Sequence, residues 1–347
     1  MTALLEPAVA FAHHRRARAR RALLVTAGLA VAVVAAFVVT MSVGSSGVPP
    51  LDVLRSVLHL GSDPGTDFIV RELRLPRATA SLLVGLALGV AGTVFQRMLA
   101  NPLASPDILG IASGAGTAAV AGLVLGNLGG LALSGAALAG ALATSAVIYG
   151  LAWRGGLSGY RFILVGIGVG ALMESVTSYL ISRAEVKDAR AAVAWLVGSS
   201  GLAGPTQIAV LGVAVVVLLP TAALLGRRLT VLELGDDTAR GLGLDVETCR
   251  RLLMLVAVVL VALATAAAGP VAFVALMAGP LATRLLAGAG SGVVASACVG
   301  ALIMLVADLL AQHALHTPLS TGVVTGLIGA PYLVWLLIAT NRSGAGG

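Results

Sequence analysis

Few side chains in this sequence are equipped for chemistry, and their surroundings narrow what that chemistry is. Glu174 and Asp308 each stand inside a long apolar stretch, where an ionisable group is costly and is kept for function or for pairing. Glu174 either lines a polar pathway or pairs with an arginine or backbone groups in the interior. His313 and His316, three apart, could share a metal on one helix face, but no third ligand stands near them, so no metal site is expected. Cys249 falls in a polar loop and Cys298 in an apolar stretch, which argues against a disulfide. Lys187 is the single lysine, between Val186 and Asp188, so the sequence holds no Gly-Lys-Ser/Thr phosphate loop. No catalytic residue and no cofactor are expected. The net charge of +7 does not point to nucleic acid, because most basic residues flank apolar stretches.

The elements that must position these groups are membrane helices. Hydrophobic residues make up 58% of the chain and charged residues 11%, and the mean hydropathy is +1.01. Apolar runs of near twenty residues recur, at lengths that suit helices crossing a bilayer and not the short alternating strands of a barrel. The expected class is an all-α polytopic membrane protein of about ten spans, near 23–43, 78–98, 108–127, 131–152, 162–182, 206–226, 251–268, 270–287, 292–312 and 322–340. Residues 1–21 form a basic N-terminal segment, 22–340 the transmembrane domain and 341–347 a tail. Most of the 22 Lys and Arg residues then fall on one side, including Arg15, Arg16, Arg18, Arg20, Arg21, Arg97, Arg154, Arg227 and Arg228. The positive-inside rule makes that side cytoplasmic, with both termini there. The high glycine content, 44 residues, is read as compositional bias without site-level meaning.

One stretch breaks this pattern. Between spans two and three lie Asn101-Pro102-Leu103-Ala104-Ser105-Pro106-Asp107, whose two prolines exclude a regular helix. This is a turn at the membrane edge or irregular backbone buried in protein. Asp107 is expected to cap the helix that follows. Arg74-Leu75-Pro76-Arg77, then Val84-Gly85-x-Ala87-Leu88, then Asn101 to Asp107 followed by Ile108-Leu109-Gly110 and Ser113-Gly114-Ala115, resemble the signature of the FecCD-type permeases. Those are membrane subunits of ATP-driven importers of iron-siderophores, haem and vitamin B12. Asn101, Pro102, Pro106, Asp107 and Gly110 carry the resemblance most directly. A weak echo, Asn101–Ser105 against Gly279–Thr283, raises the question of an internal repeat.

The polar interruption at about 229–249 carries a second resemblance, at Leu232, Leu234, Gly235, Asp236, Ala239, Leu242 and Gly243, to the family's ATPase-coupling segment. The resemblance implies two short helices there, and the leucines form an apolar ridge. It also implies that Arg74 and Arg77 dock an extracytoplasmic substrate-binding protein, and that Asp308 hydrogen-bonds between helices. ABC ATPase subunits and a second permease subunit, in a homodimer or heterodimer, are the other implied partners, within the lipid bilayer of a bacterial cytoplasmic membrane. The sequence departs from the family at Gly279-Pro280, Thr283, Gln312 and Ser320. A ferric siderophore is the expected cargo, with haem or cobalamin as alternatives. An ion-coupled secondary transporter using Glu174 and Asp308 is the competing class, and a membrane scaffold the third.

Overall fold

The computed structural model describes residues 5–44, 47–60, 63–153 and 159–344, and side chains from 15 to 338 within them. Arg154, expected in a basic loop, lies outside the described residues, as do 1–4 and 345–347. The chain begins with α1 (Leu5–Ser42), α2 (Pro50–Val57) and α3 (Pro64–Asp67). A π-helical stretch, Phe68–Arg74, leads into α4 (Leu75–Met98), so Pro64–Met98 is one helical run. Then come α5 (Ile111–Gly126), α6 (Gly130–Ala152), α7 (Gly159–Arg183), α8 (Val186–Val197) and a 3-10 turn at Ser200–Leu202. The second half holds α9 (Pro205–Leu232), α10 (Asp236–Gly241), α11 (Val246–Ala268), α12 (Val274–Leu286), α13 (Val293–His313) and α14 (Thr321–Gly344).

Among the described residues eight helical runs are long and apolar enough to cross a membrane, and α5 and α12 are shorter apolar helices. Together they occupy the ten expected stretches. At 16 residues and 13 residues, α5 and α12 reach about 24 and 20 Å, short of the ~30 Å hydrocarbon core. Of Asn101–Asp107, the first part is a turn closed by the Ala104 N–H on the Asn101 carbonyl, with Pro102 exposed, and only Ala104, Ser105 and Pro106 are buried, so the segment combines the two readings.

Several boundaries differ from expectation, each for a local reason. The basic N-terminal cluster continues α1 without a break, and α14 runs on to Gly344 in place of a separate tail. The polar interruption is shorter than 229–249, because Leu229 and Leu232 are buried and keep α9 helical to Leu232. Asp245 caps α11 by accepting the Thr248 N–H at 3.0 Å. Hydrogen bonds from Thr248 hold the Asp245 carboxyl below its ordinary range. The Asn101/Gly279 echo is not a structural repeat, since the first copy is irregular and the second lies within α12.

At the centre is α4, packed on α13, α11, α12 and α9. In its apolar stretch 78% of the residues are buried, against 11% in that of α7, so α4 is core and α7 is rim. Glycine makes this packing close. A Cβ at Gly85, Gly89 or Gly92 would run into the backbone of Gly300, Ser296 or Ala275. Compositional bias does not account for these positions; small residues let the helix backbones meet.

A proline sits inside α12, at Pro280. It lacks an N–H, so the carbonyl four residues back, that of Leu276, loses its helical donor. Gln96 of α4 replaces it: Nε2 donates to Leu276 O at 3.0 Å and to Pro102 O at 2.9 Å. Gly279 makes the room, since a Cβ there would collide with Gln96 Oε1. The Gly279-Pro280 departure is thus accommodated by a buried amide on the facing helix. Gln96→Leu removes the donor for both carbonyls, at about 1–3 kcal/mol each. The purified variant should show a clearly lower thermal unfolding midpoint in detergent, and an unchanged midpoint would contradict this role.

Candidate functional site

Three groups of polar residues lie along the bundle. At the end where α4 begins, Arg77 meets Asp308. Arg77 Nε is 3.0 Å from Asp308 Oδ2, and its Nη2 is 3.0 Å from Oδ1. Asp308 is fully buried. Gln312 Nε2 donates to it at 2.7 Å and Thr321 Oγ1 at 2.6 Å. The Ser200 N–H donates to Thr321 Oγ1 at 3.3 Å, and Ser81 Oγ donates to Ser200 Oγ at 2.8 Å. One carboxylate thus ties the starts of α4 and α14 to the end of α13. Arg74 Nη1 donates to the Met41 carbonyl at 2.8 Å. Arg74 and Arg77, expected to point at a partner, are both engaged within the chain. They nevertheless line a cavity of about 270 Å³ with Gln312 and His313, and Arg77 keeps 27% of its side chain exposed.

The second group lies where the two short helices begin. Asp107 is not the cap of α5: the helix starts later, at Ile111, and Gly110 with φ 77° is its N-cap. Asp107 Oδ2 instead accepts the Phe273 N–H at 3.2 Å, just ahead of α12, and the Ser105 hydroxyl at 3.3 Å. Asn101 Oδ1 accepts the Leu103 N–H at 2.9 Å, Pro102 offers its carbonyl to Gln96, and Pro106 is buried. Gly110 could carry no side chain, because a Cβ would lie 2.8 Å from the Gly166 carbonyl of α7. Glu174 is exposed on α7 and pairs with no arginine among the described residues; Ser113 Oγ donates to it at 3.5 Å. Asp107, Ser113 and Glu174 line two adjoining cavities, of about 450 Å³ and about 470 Å³. Phe273 has φ 67°, unusual for a residue with a side chain, and its ring occupies the space in front of Gly329 on α14.

The third group is at the opposite end. The expected ridge is divided: Leu232 and Ala239 are buried, while Leu234 is 59% and Leu242 65% exposed. One short helix, α10, stands in the segment; the place of a second is taken by the first turns of α11. Two ion pairs brace it. Arg97 holds Glu233 at 2.6 and 2.8 Å, and Arg250 holds Asp236 at 2.8 and 2.7 Å. The segment therefore presents two leucines on a fixed frame.

Gln96, Phe273, Thr321 and these two ion pairs were not singled out from sequence. A signal existed for Gln96: an amide inside an apolar span, with a proline inside another.

Helices of this number and length, two of them short and preceded by irregular backbone, are those of a polytopic membrane protein. The chain belongs to the FecCD transport family, whose sequence profile matches residues 14–339. It is 42% identical over 276 residues to the ferric enterobactin transport system permease protein FepG of Escherichia coli (strain K12), covering 79% of this chain and 83% of that one. It is 39% identical over 310 residues to the achromobactin transport system permease protein CbrC of Dickeya dadantii (strain 3937), covering 88% of each. Among solved structures, it matches an inward-facing chain assigned to the metal-chelate type of ABC transporter, with TM-score 0.80 and 25% identity, over 90% of this chain and 98% of that one.

Gly235 and Gly243 take φ values of 94° and 83°, whereas Gly241 does not and has open space around it. Alanine at either of the first two should cost about 1–2 kcal/mol locally. Limited proteolysis at the segment should accelerate for G235A and G243A but not for G241A. Equal protection in all three would contradict the assigned backbone.

Proposed function

We propose that this chain is the membrane-spanning permease subunit of an ATP-driven importer that moves a ferric siderophore or similar iron chelate across the bacterial cytoplasmic membrane. Family membership and the siderophore permeases among its relatives support the cargo class. The observation that carries the coupling is the pair of exposed leucines, Leu234 and Leu242, on a segment braced by two ion pairs beyond the end of α9. A solvated loop has no need of either the brace or the leucines. A groove on a separate ATPase chain fits both, and with no phosphate loop in this sequence, hydrolysis belongs to that chain.

Work done on the ATPase enters through α10 and the start of α11, and α9 and α11 carry it into the bundle. The permease pairs with a second permease subunit, and the pathway opens to one side at a time. The rim helix α7, with Glu174 and the two cavities beside Asp107, faces that pathway. An acidic substrate-binding protein docks at the cavity of Arg74 and Arg77, where charge steers its approach. Both termini are cytoplasmic on this reading, as the distribution of arginines supports. The secondary-transporter reading fares worse, because Asp308 is held in an ion pair with Arg77 and by donors from three helices, a structural tie and not a free relay group.

Leu242→Asp should abolish uptake while the amount of inserted permease is unchanged, because the residue lies outside the apolar helices. Loss of about 1–3 kcal/mol of apolar contact should lower ATPase co-purification. Normal uptake by this variant, driven by an ion gradient alone, would overturn the assignment. For orientation, Gly204→Cys should react with an impermeant thiol reagent in intact cells and Asp237→Cys only after permeabilisation. Labelling of Asp237→Cys in intact cells would reverse the topology.

A further inference from the structure

We propose that Arg77 transmits the docking of an acidic partner to α14, by standing between the partner's carboxylate and the buried carboxylate of Asp308. The inference rests on the docking reading above and adds what docking does.

A guanidinium has two usable edges in its plane, and each matches a carboxylate. Asp308 takes the Nε–Nη2 edge of Arg77. Nη1 makes no hydrogen bond among the described residues. It lies beside Gly201, where a Cβ would stand only 3.2 Å away, so glycine keeps that flank uncrowded. The side chain is 27% exposed while Asp308 is not exposed at all. Arg77 lines the cavity of Arg74, Gln312 and His313, so its side chain is reached from there, while its Nε–Nη2 edge belongs to the bundle.

An entering carboxylate draws the guanidinium outward and weakens its hold on Asp308. A buried carboxylate so deprived leans on its remaining donors, Gln312 and Thr321. Thr321 is the first residue of α14, whose first turn is pinned at three points. These are Asp308, the Ser200 N–H at 3.3 Å, and the Gly198 carbonyl, which accepts the Gly322 N–H at 3.0 Å. A change at Asp308 therefore reaches α14 through one side chain. Farther along α14, Gly329 packs on Phe273, whose N–H is held by Asp107. The contacts thus run from the docking cavity to the cavities at the middle of the bundle.

The test uses the permease in nanodiscs with its ATPase and cognate binding protein. It measures binding-protein affinity separately from the stimulation of ATP hydrolysis by loaded binding protein. Thr321→Val leaves the ion pair intact and cuts α14 from it. Affinity should stay within about twofold, while stimulation falls by about fivefold or more, the lower range of ordinary coupling between sites. Hydrogen exchange at 321–325 should fall when wild-type permease is docked, because Asp308 then holds Thr321 more tightly, and should be high in Thr321→Val with or without the partner. Arg77→Lys keeps a charge for docking but has no second edge, so binding should persist and stimulation should be lost. Wild-type stimulation in both Thr321→Val and Arg77→Lys overturns the transmission. Unchanged affinity in the double charge reversal, Arg74→Glu with Arg77→Glu, overturns the docking reading instead.

Discussion

Inside the hydrocarbon layer there is no water to satisfy a broken helix, and this constraint shapes the molecule more than any other. The chain breaks its helices ahead of α5, within and ahead of α12, and at the start of α14. At each break a polar side chain from another element supplies the missing partner. Gln96 serves the carbonyls freed at Pro280 and Pro102, Asp107 holds the Phe273 N–H, and Asp308 orients Thr321 toward the Ser200 N–H. Two of these three partners stand on or directly beside α4 or α13, the close-packed pair of the core.

The burial pattern separates a core from a rim. Helices α4, α11 and α13 are largely buried, whereas α7 and α14 are mostly uncovered. Elements with few buried contacts reorganise at lower cost than the core. They are also the helices that carry Glu174 and the Gly329–Phe273 contact. The distribution of burial sets these two helices apart from the core.

Much of this was legible in the residues. Run length and hydropathy alone placed ten apolar stretches, since a span must be long and apolar whatever it packs against. The Asn101–Asp107 break was visible because two prolines forbid a helix whatever surrounds them. Partners across helices were not visible. Arg77 and Asp308 were each noticed, 231 positions apart, but nothing local says that they meet. The leucines of the coupling segment looked like one ridge, and only tertiary packing divides Leu232 and Ala239 from Leu234 and Leu242. Asp107 misled because the residue before an apolar run is a good cap when the run begins as a helix at once. Here Gly110 takes a left-handed conformation first.

The buried amide of Gln96 also fixes where a proline can stand. Moving the proline from 280 to 279 would free a different carbonyl, displaced by about 1.5 Å along the helix and about 100° around it. Gln96 would no longer face that oxygen, and the ring would fall where its side chain now lies. A sequence cannot make that change in one step without passing through an unsatisfied carbonyl in an apolar interior. Positions 96, 279 and 280 therefore act as one unit in this chain: the proline creates the need, the amide meets it and the glycine leaves the space.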